Sequence, residues 1–206
     1  MSESPLVLLG CGFVGRVVAL RAIRAGRMVV ATVRSTERAR QLANDGVDAR
    51  ILAALTPDVV RTLASPGFDL LVAFPPDGVT DAVLAAAPLG AARSVYLSST
   101  GVYGNHRGDV DEETPAVPDS PRTWMRLEAE SAWRAGGAVS LRAAAIYGPG
   151  RGLPRRIAER AFQIPGTGGN VVSQIHVEDL ADLVMAALER AAPGSVYLAA
   201  DDAPGP

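Results

Sequence analysis

Short apolar runs alternate along this chain with longer amphipathic ones. Leu6–Leu9, Met28–Val33, Ala49–Leu52, Leu70–Phe74, Ser94–Leu97, Val139–Leu141 and Ser195–Ala199 have strand length. Phe13–Ala25, Thr36–Asp45, Asp58–Ala64, Val79–Ala86, Arg122–Arg134, Leu153–Ala161 and Val177–Arg190 read as helices. Strands that alternate with helices predict an α/β fold, a parallel sheet with helices on both faces. Right-handed crossovers make that sheet doubly wound and put ligands at the carboxyl ends of its strands. Gly26, Gly46, Gly67 and Gly90 fall close to expected helix ends, where a left-handed cap favours glycine. The Pro- and acid-rich stretch Asp109–Pro121 reads as an exposed loop, with Gly148–Gly152 and Pro165–Asn170 as further loops.

The 206 residues suffice for one substantial core, so residues 1–206 are taken as one domain. No apolar run approaches the roughly 20 residues of a membrane span, and Met-Ser-Glu-Ser-Pro leads straight into the first strand without a secretory pattern. The single cysteine cannot form an internal disulfide, which fits a reducing cytoplasm. Net charge is −2, without basic clusters interleaved with aromatics, so nucleic acid is not an expected partner. Lysine is absent while arginine, alanine and glycine abound, a matter of genome composition rather than chemistry.

Chemistry enters at the end of the first strand, where Gly10-Cys11-Gly12-Phe13-Val14-Gly15 writes G-x-G-x-x-G between a strand and a helix. Gly10 permits the tight turn, Gly12 removes a side chain where a pyrophosphate approaches, and Gly15 lets helix and strand pack closely. The free N–H groups of the helix start, at Phe13 and Val14, then face the phosphates. This is the Rossmann-type dinucleotide site. Cys11 fills a variable position as a small buried residue. At the end of the second strand, where NAD would want a carboxylate, stand Val33-Arg34-Ser35, with Arg38 one turn further on. A guanidinium suits a 2′-phosphate, so NADP is expected in preference to NAD, against the plainer reading of a solvated arginine at a helix start. No H-x-x-x-H, C-x-x-C or carboxylate–histidine cluster occurs, and no metal is expected.

Three further stretches carry a resemblance. They are Ser94-Val95-Tyr96-Leu97-Ser98-Ser99-Thr100-Gly101-Val102-Tyr103-Gly104, Leu141-Arg142-Ala143-Ala144-Ala145-Ile146-Tyr147-Gly148-Pro149-Gly150 and Gln174-Ile175-His176-Val177-Glu178-Asp179-Leu180-Ala181. With the glycine turn, in this order, they resemble the extended short-chain dehydrogenase/reductases, the NAD-dependent epimerase/dehydratase family. The resemblance implies that Ser99 bonds the reacting oxygen of a substrate, against a plain strand-end cap. It also implies a Tyr-x-x-x-Lys on the following helix, with the tyrosine transferring the proton and the lysine lowering its pKa. Here Arg122 and Arg126 stand at those positions. Arginine stays protonated and makes a poor general acid, so the chain resembles the atypical members. Arg126 retains the means to hold a ribose or phosphate. Tyr103 and Tyr147 are candidate substitutes, each against a packing role. Phe74 and Pro75, followed by Pro76, border the expected cofactor, as does Ser98. Arg151, Arg155 and Arg156 follow Pro149 and Gly150 as candidate contacts for an anionic substrate, against the plainer reading of solvated arginines. His176 orders a strand–helix junction, with Glu178 and Asp179 favourable in the first helical turn. His106 is solvated.

Relatives of this kind continue for several tens of residues past such a final strand. A reduced C-terminal substrate lobe is therefore expected, with about 148–178 contributing to it, and a cleft that excludes water poorly. The resemblance further implies a homodimer built from two helices of each copy. Two readings follow. One is an NAD(P)-dependent oxidoreductase or epimerase/dehydratase acting on a small carbonyl, hydroxyl or nucleotide-sugar substrate; the other is a non-catalytic NAD(P)-binding sensor or scaffold lacking the Tyr–Lys pair.

Overall fold

The computed structural model describes residues 4–152, 155, 158–159 and 171–205. Seven parallel strands form the main sheet in the order β3-β2-β1-β4-β5-β6-β9. They are β1 (Leu6–Leu9), β2 (Val29–Val33), β3 (Asp48–Ile51), β4 (Phe68–Val72), β5 (Ala91–Ser99), β6 (Val139–Ala143) and β9 (Val196–Ala199). The helices whose bounds the described residues give are α1 (Phe13–Arg24), α2 (Thr36–Asn44), α3 (Pro57–Arg61), α4 (Thr80–Ala85), α5 (Pro121–Ala135) and α6 (Val177–Arg190). The chain grows outward from β1 to β3, then crosses back to lay β4 on the other side of β1. The switch point between β1 and β4 is where such sheets open a crevice at their carboxyl ends.

Both faces of the sheet are covered, which is why β1, β2, β4 and β6 are buried at every position. Leu6 and Leu8 point into one core with Val14 and Val18 of α1 and Leu180 and Val184 of α6. Val7 and Leu9 point into the other, with Leu70, Tyr96, Leu84 of α4 and Trp133 of α5. Between α4 and α5, Asp81 is 2% exposed; its Oδ1 accepts the Trp133 indole N–H at 2.8 Å, while Oδ2 meets no donor among the described residues. Burial raises its pKa above the ordinary carboxylate range, against the Trp133 hydrogen bond. Among the described residues no helix is long and apolar enough to cross a membrane.

Some boundaries differ from the sequence expectation. Helix α3 stops at Arg61 rather than Ala64, a short turn started by the Thr56 cap and Pro57. Strand β5 begins three residues before Ser94. Its first residues, Ala91 to Arg93, are not buried and carry no strand-forming apolar pattern, and Arg93 is held by donating to the carbonyls of Leu188 and Glu189 at 2.7 and 2.8 Å, close to the end of α6. Gly26 and Gly46 follow α1 and α2 with φ of 80° and 84°, as expected. Gly67 and Gly90 instead lie in the loops entering β4 and β5, joined by a 2.8 Å bond from Gly67 N–H to the Gly90 carbonyl. Two short strands escaped the pattern. They are β7 (Ala145–Tyr147) and β8 (Gln174–His176), which pair with each other outside the main sheet. The helix expected over Leu153–Ala161 and the loop at Pro165–Asn170 lie outside the described residues for the most part, as does Arg156.

Candidate functional site

The glycine turn leaves β1 at the switch point. Gly10 has φ of +88°, and a Cβ there would stand 2.8–2.9 Å from the backbone and Cβ of Phe74, which follows β4. The position is closed to any side chain both by its conformation and by the neighbouring strand end. Gly10 N–H donates to Thr32 Oγ1 at 2.9 Å and Cys11 N–H to the Thr32 carbonyl at 3.2 Å, so β2 pins the first half of the turn. At Gly15 a Cβ would lie 3.0 Å from the Gly10 carbonyl, the close helix-on-strand approach expected of the third glycine. At Gly12 it would meet nothing within 4 Å.

That open space lies over the start of α1. The first turn holds no acidic residue and no side-chain cap. The N–H groups of Gly12, Phe13, Val14 and Gly15 find no acceptor among the described residues; the helix ladder begins with Arg16 N–H to the Gly12 carbonyl at 3.1 Å. Converging free donors at a positive helix end, with the steric room that Gly12 leaves, fit a pyrophosphate. Cys11 beside them is 4% exposed, and burial pushes its thiol up to about 11 although Arg38 and Arg16 oppose the shift. It is an inert space-filler there.

At the end of β2, Arg34 is exposed and meets no protein partner among the described residues. Ser35 caps α2 by accepting the Arg38 N–H at 3.3 Å. The Arg38 side chain turns back to the glycine turn and donates to the carbonyls of Cys11 at 3.1 Å and Gly12 at 2.9 Å. Phe74 is half-buried under the turn, and Pro75 is exposed beyond it.

At the end of β5 the two serines part. Ser99 is half-buried and caps a 3₁₀ turn, Thr100–Tyr103, its Oγ accepting the Gly101 N–H at 3.1 Å. Among the described residues its hydroxyl proton meets no acceptor, which leaves it to donate elsewhere. Ser98, expected beside the cofactor, faces the opposite way: 4% exposed, it donates to Glu130 Oε2 at 2.6 Å. Glu130 on α5 is fully buried and grips Arg142 of β6 through contacts of 2.7, 3.1 and 3.2 Å. Arg142 also donates to the Tyr103 hydroxyl at 2.8 Å, and Tyr103 donates to the Asp111 carbonyl at 2.8 Å. The Tyr103 hydroxyl, expected as a candidate acid, thus spends both functions inside this network, at 4% exposure.

On α5, Arg122 is exposed in the first turn. Arg126 donates to the Leu97 carbonyl at 3.1 Å and the Tyr96 hydroxyl at 3.2 Å, so its guanidinium is anchored to β5. Burial pushes the Tyr96 hydroxyl up to about 12, against the Arg126 charge beside it, so it keeps its proton at neutral pH, and at 0% exposure it is out of a substrate's reach. Tyr147 is half-buried, with its ring edge-on to His176 at 5.2 Å between centroids. His176 caps α6, its Nδ1 accepting the Glu178 N–H at 3.3 Å, which is the junction role expected of it. Arg151 stacks on the Phe13 ring at 5.2 Å, bringing the loop after β7 to the start of α1, and Arg155 pairs with Glu159 at 2.7 Å.

Sequence reasoning did not assign roles to Thr32, Glu130 or Arg142, nor the loop contacts to Arg38. Arg142 stood in a quoted stretch and served only as a landmark, and Glu130 lay unremarked within the expected helix Arg122–Arg134. A carboxylate and an arginine within otherwise apolar periodicity were the available signal, because buried charges come paired.

Residues 6–200 match the model of the NAD dependent epimerase/dehydratase family. A 3-diazoavenalumate denitrifying reductase of Streptomyces sp is 30% identical over 98% of this chain and 77% of its own length. A conserved protein of unknown function from Silicibacter pomeroyi superposes with a TM-score of 0.80 at 31% identity, over 99% of this chain and 74% of that one. UDP-glucose 4-epimerase of Thermotoga maritima superposes with a TM-score of 0.81 at 17% identity, over 98% and 78%, a likeness of fold alone.

Proposed function

As the chain belongs to the NAD-dependent epimerase/dehydratase family, we propose that it is an oxidoreductase of that class. It uses NADPH in preference to NADH and acts on a small carbonyl, hydroxyl or nucleotide-sugar compound. The observation that carries this reading is the glycine turn: Gly10 and Gly15 stand where a Cβ would crowd their neighbours, Gly12 opens onto free space, and unpaired N–H groups border that space. Arg34, exposed at the end of β2 where a ribose 2′ position would lie, supports NADP.

Bound there, a nicotinamide dinucleotide supplies or takes up a hydride. The chain's own part begins with Gly12, Phe13 and Val14, which bind the pyrophosphate through backbone N–H groups. Ser99 keeps its proton free while its lone pair is held by Gly101, and so donates to a substrate oxygen at a fixed direction. Arg126, tied to β5, and Arg122 cannot serve as proton donors at neutral pH. Without a tuned acid, the substrates that suit this site are acceptors electrophilic enough to need little proton help. The Streptomyces relative, a reductase by its name, supports the reductive direction.

The test is titration with NADPH and NADH, followed by fluorescence and by protection against thermal unfolding. Selective NADPH binding lost in Arg34→Glu is the expected result, and binding of neither cofactor overturns the reading. A carbonyl and nucleotide-sugar panel then addresses turnover. The arginines in place of Tyr and Lys favour a second reading, a cofactor-binding sensor. Tight binding without turnover, unchanged in Ser99→Ala, is its signature.

A further inference from the structure

Arg38 lies one turn into α2, where a guanidinium ordinarily suggests a reader of the cofactor's 2′-phosphate. Its three nitrogens are turned to protein instead. Nε donates to the Cys11 carbonyl at 3.1 Å, Nη2 to the Gly12 carbonyl at 2.9 Å and Nη1 to Gln41 Oε1 at 3.1 Å. We propose that Arg38 is a positioning residue of the dinucleotide site, one that holds the glycine turn in its phosphate-binding shape and leaves the 2′-phosphate to Arg34. The inference rests on the dinucleotide reading above.

In a trans peptide the C=O and N–H point in opposite directions. Drawing the Cys11 carbonyl toward Arg38 therefore sends the Gly12 N–H the other way, and drawing the Gly12 carbonyl does the same for Phe13 N–H. Those are two of the donors that find no acceptor among the described residues. A turn containing Gly10 and Gly12 has little conformational preference of its own, so its shape must be imposed from outside. Thr32 imposes the first half, through Gly10 and Cys11 N–H. Arg38 imposes the second half, through two successive carbonyls. A planar guanidinium spans both at once, which a single ammonium does in a poorer geometry. Its own backbone is fixed by the Ser35 cap, and Gln41 steadies the fork from one turn further along α2.

The experiment titrates wild type, Arg38→Met, Arg38→Lys and Arg34→Glu with NADPH and with NADH, using unliganded thermal unfolding to verify folding. Arg38→Met is expected to raise both Kd values by the same factor, about tenfold or more from the loss of two charge-assisted bonds. The NADPH-to-NADH Kd ratio stays at the wild-type value. Arg38→Lys shows the same parallel rise to a smaller extent, and it carries the comparison should Arg38→Met fail to fold. Arg34→Glu weakens NADPH alone, since a carboxylate still suits a ribose hydroxyl. A rise confined to NADPH in the Arg38 variants makes Arg38 a phosphate reader and overturns the proposal, as do unchanged Kd values for both cofactors. Wild type that binds neither cofactor overturns the dinucleotide reading itself, and this inference with it. Wild type that binds while Arg38→Met is indifferent sinks the Arg38 role alone.

Discussion

Replacing Glu130 by Gln removes one charge from the middle of the molecule at almost constant volume. Glu130 is 0% exposed and Arg142 is 5% exposed, and the pair is held by contacts of 2.7, 3.1 and 3.2 Å with Ser98 adding a fourth at 2.6 Å. The substituted amide still offers an oxygen, but its NH₂ faces donors, and the Arg142 guanidinium is left charged without a counter-ion. Removing one member of such a buried pair costs about 3–5 kcal/mol. For a chain of this size each kcal/mol lowers Tm by about 2–4 °C, so the expected drop is about 6–20 °C. Urea unfolding followed by circular dichroism reads the loss as a lower midpoint with an unchanged slope. The companion measurement is the cycle of Glu130→Leu, Arg142→Met and the double variant. The double should be less destabilised than the sum of the singles by at least about 2 kcal/mol, because each single strands a charge that the double removes. Ser98 still loses its acceptor, so the double does not regain wild-type stability. A loss below about 1 kcal/mol in Glu130→Gln, or singles that add within about 0.5 kcal/mol, refutes the premise that this pair is a coupled, desolvated unit.

Other outcomes follow from the same geometry. Gly10→Ala should lower stability by about 2–4 kcal/mol, since a left-handed backbone and a clash with Phe74 act together; Gly12→Ala, with nothing within 4 Å, should cost at most about 1 kcal/mol yet abolish NADPH binding, and urea melts beside cofactor titrations separate the two. Asp81 has a raised folded-state pKa, so the folded chain holds its proton more tightly than the unfolded one. Its contribution is therefore fully present below the ordinary carboxylate pKa and is lost as pH rises through the raised folded value. Urea melts at intervals from pH 4 to pH 7 should show wild type losing stability relative to Asp81→Asn as pH rises; parallel curves contradict the assignment. The Cys11 thiol, near 11, should resist iodoacetamide at pH 8 in the folded protein and react once urea unfolds it, as mass spectrometry reads directly.

Much of the architecture was legible in one dimension. A strand buried on both faces must be a short apolar run, a covering helix must be amphipathic, and their alternation leaves the parallel doubly wound sheet as the natural topology. The glycine turn was equally legible, because each glycine answers a local requirement: a left-handed φ at Gly10, open space at Gly12, close packing at Gly15. What escaped was everything that depends on which distant residue arrives opposite. Strands β7 and β8 are three residues each, too short for periodicity to register, and they exist because residues nearly thirty positions apart pair. The two serines at the end of β5 are chemically alike, and only the pleat decides that Ser98 meets Glu130 while Ser99 caps the 3₁₀ turn. Arg34 and Arg38 read alike as phosphate ligands, until the packing of α2 beside the start of α1 carries the Arg38 guanidinium to carbonyls 26 and 27 residues away. Spacing along the chain selects the elements and the face each one buries; the partner of a long polar side chain is set by sheet order and crossover, which bring together residues that share no local pattern.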